Sequence, residues 1–591
     1  MLSIAAIGWG NCLRGLFPEG FSKVDRIALT LLGGLGLLGT LLFLIGQVWF
    51  SKAAIVLVLV AGVLLGVRPI SRAARSLLEI RWRIPVSALA AILVFGVLLI
   101  TFVGGLAQPT GDIKMDAIAY HLLGPRVWVH EGLIRPVADE CLTSFPAIVE
   151  TQFAALMAIG GQRAPYLFSF LALLSMLLIA ASLALRCGLD SRGAWWVAAL
   201  IATMPVLYRG AYGGFVDVIY SGLVLAAARM GFDAEKPRHY ALFGIFCGLA
   251  MGTKYNALIA VALLMICISL IPAVREQGRK DLSKNLGIAC VMALIVAAPW
   301  YLRNWILLGS PIYPPPPLLL HFFEPKYLPP EAIQKLVTRM VKEGAGMGRG
   351  PWSFLLLPFH LTYHPANFMN GAGGIGLTPL ILAPFGLLAL GKDWFAKGLA
   401  VFALLQTVAW FATAQEARYM IHVYAIAAIF AVFGWKYVRE ISPRAGAALS
   451  ALVVAISVSY GLFMIASVRA DDLRAVLSSS FEEERKREEI PFLDSFEFLN
   501  HQAGVAKVLV LEPKAPTYYL QASYIKPVGR FGEQTLPDAT NLQAILSQLP
   551  ALQVSHVLDV RWPGQPFRLG EHPEGLRLIF EREDQRVYTV N

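Results

Sequence analysis

Thirteen long apolar runs dominate this 591-residue chain, and each approaches the length that crosses a lipid bilayer as a helix. Spanning a hydrocarbon core of about 30 Å takes about 20 apolar residues in a helix. Only 15% of the side chains are charged, whereas 57% are apolar and the mean hydropathy is +0.61, which excludes an ordinary water-soluble enzyme. The sequence therefore predicts a polytopic α-helical membrane protein with about 13 transmembrane helices. The runs lie at 27–50, 53–67, 84–106, 165–185, 193–207, 213–230, 240–253, 255–274, 285–306, 374–391, 397–413, 418–435 and 446–468.

Basic residues between the runs indicate which way the chain crosses the membrane. The segment 68–83 contains five arginines and one acidic residue, and short basic loops of this kind stay in the cytoplasm. Alternating from this segment places six windows in the cytoplasm, with 19 lysines and arginines against 8 acidic residues. The difference equals the formal charge of +11, so this charge is an orientation signal and does not indicate a nucleic-acid partner. We expect a multi-pass protein of the inner (plasma) membrane, surrounded by membrane lipids. The six windows are 68–83, 186–192, 229–238, 275–284, 392–397 and 436–444.

The same alternation sends two long loops, 107–164 and 307–373, to the extracytoplasmic side. Two short helices meet at Lys254, which is expected at the apex of a tight hairpin near the outer face. The chain after residue 468 also lies outside, and strand-like segments separated by Pro, Gly and Asn predict a small extracytoplasmic α/β domain over 469–591. A charged run at 481–489 is expected to be the solvated face of a connecting helix. The strand-like segments are 507–513, 555–560 and 576–580.

The predicted organisation thus has three parts. Residues 1–83 hold extra N-terminal helices and a basic cytoplasmic loop, 84–468 form the transmembrane core, and 469–591 form the soluble tail. The N-terminus lacks a basic leader followed by a cleavage site, so the first spanning helix is expected to act as an uncleaved signal. Six cysteines without C-x-x-C spacing favour neither a disulfide framework nor a zinc site.

Acidic residues follow the third apolar run, at the start of the first outer loop. Asp112 and Asp116 are one helical turn apart, and Tyr120 and His121 come one turn later. A carboxylate at the outer membrane rim can act as a general base, because low-dielectric surroundings raise its pKa. The alternative for both carboxylates is an N-terminal helix cap, and the alternative for His121 is an ordinary interfacial histidine.

Further polar residues are expected at the outer ends of spanning helices. Charges at membrane depth are costly, so they line a cavity or pair with one another. Lys254 could pair with Asp217 and staple two helices, or it could hold an anionic lipid headgroup together with Arg303. Arg418 could bind a phosphate or pair with Glu416. These outer-end residues are Asp217, Lys254, Tyr255, Arg303, Glu416 and Arg418.

Oxygen and nitrogen ligands for a metal are available among these side chains, but no spacing identifies a metal. The sequence therefore identifies no cofactor and leaves a divalent cation open. The residues that could supply such ligands are Asp112, Asp116, His121 and Glu416.

Several segments, taken in their order and spacing, resemble a known family. The resemblance rests on DAIAYHLLGPRVWVHEG, SFPAIVETQFAALMAIGG, FVDVIYSGLVLAAARMGF, GIFCGLAMGTKYNALI and QEARYM. These stretches are similar to the integral membrane glycosyltransferases of the GT-C superfamily. That superfamily includes the dolichyl-phosphate-mannose protein mannosyltransferases and the bacterial aminoarabinose transferases. The similarity covers residues 84–468.

The resemblance implies a transmembrane glycosyltransferase whose donor is a polyprenyl-phosphate sugar. Such enzymes transfer the sugar, usually with inversion, to a lipid, glycan or protein acceptor on the extracytoplasmic side. An acidic residue of the first outer loop is the expected base, which matches Asp116, with Asp112 as a second match. The family often has adjacent acids in this loop, whereas this chain has them four residues apart. Loop 307–373 could form a lid over the acceptor site or lie in the membrane interface. The cations expected to hold the leaving phosphate are Lys254, Arg303 and Arg418.

Two other functional classes fit a polytopic chain with buried charges. A secondary transporter or lipid-linked sugar flippase also has broken helices and charges at membrane depth, but it should show internal repeats, and the sequence shows none. A membrane scaffold would explain the tail but not the charges at the outer face.

Overall fold

A computed structural model describes the whole chain except for a few short segments. The residues outside the description are 79–86, 111–115, 212, 271–278, 345, 370–372, 392 and 571–572. The described residues form 23 α-helices and one five-stranded sheet. The first thirteen helices are α1 Leu2–Asn11, α2 Lys23–Gly46, α3 Lys52–Leu78, α4 Ala88–Gly104, α5 Leu123–Glu131, α6 Ile148–Gly160, α7 Phe168–Arg186, α8 Ser191–Ala202, α9 Pro205–Ala211, α10 Asp217–Gly231, α11 Pro237–Met251, α12 Asn256–Leu270 and α13 Arg279–Leu308.

The remaining helices and the strands follow in the second half of the chain. These helices are α14 Pro330–Glu343, α15 Pro351–Leu355, α16 Leu357–Tyr363, α17 Leu377–Leu388, α18 Trp394–Ala412, α19 Ile421–Ile441, α20 Ala445–Leu477, α21 Ser479–Glu489, α22 Leu493–His501 and α23 Leu542–Ser547. The strands are β1 Lys507–Val510, β2 Ser523–Ile525, β3 His556–Val560, β4 Leu576–Arg582 and β5 Gln585–Val590.

Each of the thirteen predicted apolar runs contains a helix. In the described part of the chain, six helices are long and apolar enough to cross a membrane by length and composition. Four of the other runs contain apolar helical stretches of only 10–17 residues, so the structure confirms the helical membrane-protein class but not the number thirteen. The six are Lys23–Gly46, Ala164–Arg186, Asp281–Leu308, Trp394–Ala412, Ala417–Ile441 and Ala445–Leu477.

Two apolar helices, α1 and α6, are absent from the predicted set. With 10 and 13 residues they are too short to be recognised as spans. Helix α6 falls inside the segment 107–164, which was expected to be a loop, and most of its residues are buried. That segment is therefore not a continuous loop.

The chain divides into two compact units, and each is built from three chain segments. The predicted division at residues 83 and 468 stays a prediction, because compact units follow packing and not membrane crossings. The first unit comprises Met1–Ala107, Pro146–Pro299 and Met340–Leu473. The second unit comprises Gln108–Phe145, Trp300–Arg339 and Arg474–Asn591.

Small residues let helices of the first unit approach closely. A Cβ atom at Gly386 of α17 would lie 1.8 Å from the carbonyl oxygen of Phe430, and one at Gly434 of α19 would lie 1.9 Å from that of Leu382. Helices in lipid associate through such close backbone contact, since burial of apolar surface gives little drive there. The α17 and α19 pair therefore depends on glycine at both positions.

A buried ion network joins three helices of the first unit. Arg229 of α10 contacts Asp25 of α2 at 3.0 Å and Asp233 at 2.6 Å. Arg186 of α7 makes two further contacts of 2.7 Å to Asp233. The Arg229 side chain is 4% exposed, so losing one partner would leave a buried charge uncompensated.

The sheet lies in the second unit, in the order β2-β1-β3-β5-β4. Strand β1 is parallel to β2 and β3, whereas β5 is antiparallel to both β3 and β4. Leu509, Val557 and Tyr588 pack with Ile545 and Leu549 into one apolar core. This confirms a small C-terminal α/β fold.

The tail differs from its prediction in two details. The strand-like segments correspond to β1, β3 and β4, whereas the prediction missed β2, which has three residues, and β5, which begins with the polar pair Gln585 and Arg586. The charged run forms a helix, α21, as predicted, but it is not fully solvated. Glu482 and Arg485 are buried, with Arg485 bonded to Glu489 at 2.7 Å.

Candidate functional site

Lys254 and Asp217 form a buried ion pair in the first unit. Asp217 is the first residue of α10, and Lys254 lies in the turn 252–255 between α11 and α12, as the predicted hairpin requires. The Lys254 ammonium nitrogen is 2.5 Å from the Asp217 Oδ1, and Asp217 has no exposed surface. The Ile148 amide donates to the Gly252 carbonyl at 3.1 Å and anchors the turn. The structure thus contains the pair that the sequence offered as one alternative.

A second ion pair occupies the short turn between α18 and α19. The Arg418 Nη2 contacts the Glu416 Oε1 at 2.9 Å, so Arg418 makes the local pair that was one of the two alternatives. The Trp410 indole donates to the Glu416 carbonyl at 2.9 Å. This bond fixes the start of the 3₁₀ turn Ala417–Met420, on which Arg418 lies.

The ring of Tyr419 connects the two ion pairs. The Lys254 ammonium is 4.1 Å from the ring centroid, and the Arg418 Cζ is 5.7 Å from it. Both distances lie within about 6 Å, the range of cation–π attraction. The Arg418 Cζ is also 5.2 Å from the Phe215 ring centroid. The Tyr419 cluster is defined as Asp217, Lys254, Glu416, Arg418 and Tyr419.

A glycine-rich segment, residues 346–350, is bonded to the chain just before the Tyr419 cluster. The Gln415 side-chain amide donates to the Gly348 carbonyl at 3.0 Å, and the Gln415 backbone amide donates to the Gly344 carbonyl at 2.8 Å. Gly346 and Gly348 have φ of +57° and +93°, a left-handed backbone that favours glycine. Part of the segment 307–373, for which a lid was one of two alternatives, therefore contacts the residues that lead into the cluster.

Sequence reasoning did not select Tyr419 or Gln415 as site residues. Both flank chosen residues in the stretch QEARYM, but a ring between two cations and a side chain bonded to a distant glycine become visible only in three dimensions. Tyr255, which was selected, lies in the same turn as Lys254 and directly precedes α12.

The predicted base belongs to the second unit. Asp116 directly precedes a single π-helical turn, Ala117–His121, and its side chain does not cap that turn. The cap alternative is therefore wrong for Asp116, whereas Asp112 lies outside the described residues. The rings of Tyr120 and His121 are 4.1 Å apart, and His121 is buried. Single π turns occur frequently at functional sites, so the local backbone is consistent with a role for Asp116.

Arg303 also belongs to the second unit, near the end of α13. Its Nη2 donates to the Ser144 carbonyl at 2.9 Å and to the Asn304 Oδ1 at 2.8 Å. The Asn304 side chain donates to the same carbonyl at 2.8 Å. These bonds anchor the 3₁₀ turn Cys141–Ser144, and binding of phosphate by Arg303 stays a prediction.

Asp112, one of the four residues that could supply metal ligands, lies outside the described residues, and the other three do not form a compact group in the described part of the chain. Asp116 and His121 lie in the second unit and Glu416 in the first. A different group of three potential ligands is present in the second unit, formed by Glu140, Cys141 and Glu533.

Solved structures identify the fold. ArnT from Cupriavidus metallidurans bound to undecaprenyl phosphate matches with a TM-score of 0.54 and 12% identity, over 85% of this chain and 98% of ArnT. ArnT in the apo state gives 0.56 and 14%, over 85% and 97%. The arabinofuranosyltransferase AftD from Mycobacteria gives 0.49 and 12%, over 85% of this chain and 40% of AftD. The likeness to ArnT shows that the chain has the GT-C fold.

Comparison with known sequences says less about this chain than comparison with solved structures does. Residues 216–425 match a family described as Domain of unknown function (DUF8201), and this range contains every residue of the Tyr419 cluster. No curated protein sequence matches the chain.

Proposed function

We propose that this GT-C-fold protein is a membrane glycosyltransferase that uses a polyprenyl-phosphate-linked sugar as donor. The acceptor is a lipid, glycan or protein on the extracytoplasmic face of the inner membrane. The observation that carries the proposal is the Tyr419 cluster, in which two cations from distant parts of the chain share one aromatic ring. The shared fold supports it, since the ArnT structure of that fold contains undecaprenyl phosphate.

The Tyr419 cluster suits a phosphate ester. An ammonium carries three N–H donors and a guanidinium five, so each cation has more donors than a single carboxylate contact uses. Charge-assisted bonds from these donors stabilise the negative charge that develops on a leaving phosphate. Lys254 and Arg418 would therefore bind the donor phosphate, and Asp217 and Glu416 would orient them. Arg303 is a third proposed phosphate-binding residue.

The proposed reaction is a single displacement with an aspartate base. Asp116 accepts the proton of the acceptor hydroxyl or amine as the acceptor atom bonds to the anomeric carbon. The bond from that carbon to the phosphate oxygen breaks at the same time, and its electron pair leaves with polyprenyl phosphate. Attack opposite the leaving group inverts the anomeric centre. Asp112 is the second candidate for the base.

Segment 346–350 is proposed as part of a lid. Closure of a loop over a reacting sugar excludes water, which would otherwise compete with the acceptor. Its bonds to Gln415 give such a loop a direct connection to Glu416 and the cluster.

The experiment uses the full-length protein in lipid nanodiscs with a panel of radiolabelled polyprenyl-phosphate sugars. We expect one donor to release polyprenyl phosphate when acceptor glycolipids or glycans are added. The variant Asp116→Asn should lower the rate at least about 100-fold, the lower end of what a general base contributes. Asp538→Asn is the matched control, since Asp538 is an exposed carboxylate of the tail.

Two outcomes would overturn parts of the proposal. Full activity in folded Asp116→Asn would remove the base assignment. Movement of the intact donor across liposomes without release of polyprenyl phosphate would indicate a flippase instead.

A further inference from the structure

Two carboxylates and a thiol converge in a buried part of the second unit. Glu140 and Cys141 begin the 3₁₀ turn of the first outer segment, and Glu533 lies between β2 and α23. One ligand atom from each residue lies within 4.8 Å of the other two. None of the three residues is more than 2% exposed. Cys141 and Glu533 are 392 residues apart in the chain, so no local spacing could reveal the group.

The backbone of both segments holds Glu533 in place. Its Oε1 accepts the amide of Cys141 at 2.9 Å, and its Oε2 accepts the amide of Phe531 at 2.8 Å. Each carboxylate oxygen can accept at two positions, so the two amide bonds do not use up the acceptor capacity of Glu533. The carboxylate is therefore oriented before any ligand arrives.

Glu140 is the second carboxylate of the group. Among the described residues, no group donates a hydrogen bond to its buried Oε1. In the described part of the chain, neither Glu140 nor Glu533 makes an ion pair. The ammonium of Lys526 contacts Asp139 at 3.4 Å and donates to the Ala515 carbonyl at 3.0 Å. A buried polar oxygen without a partner is costly, and a bound cation would satisfy it.

We propose that Glu140, Cys141 and Glu533 bind a zinc ion. Cysteine sulfur with carboxylate oxygens is a zinc donor set, whereas magnesium and calcium take oxygen ligands only. Bonds of about 2.0 to 2.3 Å in a tetrahedron separate ligand atoms by roughly 3.6 Å, so small side-chain rotations suffice to close the group. Three protein ligands leave the fourth position for water, and binding releases the Cys141 proton.

A cavity of the second unit includes the residue that precedes Glu140 in the chain. Asp139 lines a cavity of about 380 Å³, together with Lys526 and Tyr524. A metal at the site would join the first outer segment to the tail within the second unit. The competing arrangement is a metal-free one, in which burial raises the pKa of Glu140 to about 8 and keeps the acid protonated.

Cobalt binding tests the proposal, because a cobalt–thiolate bond gives a near-ultraviolet charge-transfer band. Full-length protein is stripped with chelator in detergent and titrated with Co²⁺, and Zn²⁺ is then added as competitor. We expect one equivalent of Co²⁺ with the thiolate band, displaced by one equivalent of Zn²⁺. Cys141→Ser should lose the band, and Cys12→Ser, which changes an exposed free cysteine, should keep it.

Glu140→Gln provides a second test that does not alter the cysteine. The change preserves volume and removes the charge, so zinc affinity should fall at least about tenfold while the metal-free protein keeps its unfolding temperature. Absence of the band in the wild type, persistence of the band in Cys141→Ser, or unchanged zinc affinity in Glu140→Gln would each overturn the site. These measurements follow metal binding and not sugar transfer, so their failure leaves the proposed function unaffected.

Discussion

The ammonium of Lys254 lies 2.5 Å from the carboxylate of Asp217, a residue with no exposed surface. Removing one member of a buried pair leaves the other charge uncompensated and costs about 3–5 kcal/mol. We expect Asp217→Asn and Lys254→Met each to lower the thermal stability of the detergent-purified protein. The double variant should recover most of the loss, since it leaves no unpaired charge.

Measurements of activity distinguish two roles for Lys254, which are joining two helices through its ion pair and binding the donor phosphate. If the pair only joins two helices, the stable double variant should transfer sugar at the wild-type rate. If Lys254 binds the donor phosphate, that variant stays inactive and binds undecaprenyl phosphate at least about tenfold more weakly, since a lost charged hydrogen bond costs about 1.5–3 kcal/mol. Lys436→Met is the matched control, because Lys436 pairs with an exposed aspartate.

The ring of Tyr419 should contribute more than its hydroxyl to the binding of undecaprenyl phosphate. Lys254 and Arg418 both lie within cation–π range of the ring. Tyr419→Phe keeps this surface and should retain affinity for undecaprenyl phosphate. Tyr419→Leu removes it and should weaken binding about 2- to 30-fold, for a loss of about 0.5–2 kcal/mol. Native mass spectrometry of both variants measures the difference, and equal affinities would contradict a role for the ring.

Gln415 should control the order of the proposed lid. The variant Gln415→Ala removes the bonds from its side-chain amide to the carbonyls of Gly348 and Phe411. We expect hydrogen exchange in segment 346–350 to become faster, since a bond of this kind stabilises by about 0.5–1.5 kcal/mol. Gln334→Ala, an exposed glutamine on α14, is the control. Exchange that stays unchanged would show that other contacts hold the segment.

The sequence predicts the fold class and much of the site, because both depend on local patterns. Apolar runs mark helices by length, and charges such as Asp217 and Arg418 are conspicuous in an apolar setting. Short helices such as α6 escape prediction, since 13 apolar residues do not distinguish a span from a buried helix. Strand β2 escapes because three residues carry no period.

Long-range relationships explain what else the sequence could not predict. The Tyr419 ring lies within cation–π range of both Lys254 and Arg418. Glu533 accepts a hydrogen bond from Cys141, which is 392 residues away in the chain. Neither of these contacts produces a pattern among neighbouring residues that could be recognised in the sequence. Where two partners are sequence neighbours, as with Glu416 and Arg418, the pairing was already among the alternatives.

The close contact between α17 and α19 should not tolerate a side chain at Gly386 or Gly434. A methyl group at Gly434 would meet the Leu382 carbonyl at 1.9 Å, so Gly434→Ala should cost about 3 kcal/mol or prevent folding. A methyl group at Gly96 of α4 would meet nothing within 4 Å. Gly96→Ala is therefore the matched control and should change stability by less than about 1 kcal/mol. Equal thermal stabilities of the two variants would contradict the packing.

Asp559 should make the stability of the α/β fold depend on pH. It is buried in β3, where its Oδ2 accepts the Leu569 amide at 2.7 Å and its Oδ1 the Arg568 amide at 3.3 Å. Burial raises the pKa of this carboxyl above its ordinary value, with the two amides opposing the shift. At a pH between the unfolded-state and folded-state pKa values, the Asp559 carboxyl is therefore protonated in the folded state and ionised in the unfolded state. Its stabilising contribution is complete below about pH 3.8 and is lost as the pH rises through the folded-state pKa.

Asp559→Asn tests this dependence, because an amide cannot titrate. We expect the variant to lose the part of the pH dependence that Asp559 contributes, so that the difference in stability between wild type and variant varies across the acidic range and is constant at higher pH. Hydrogen-exchange protection of the β3 amides, corrected for intrinsic exchange rates, measures this difference in the full-length protein. A difference that is constant across the whole acidic range would mean that Asp559 has the same pKa in the folded and unfolded states.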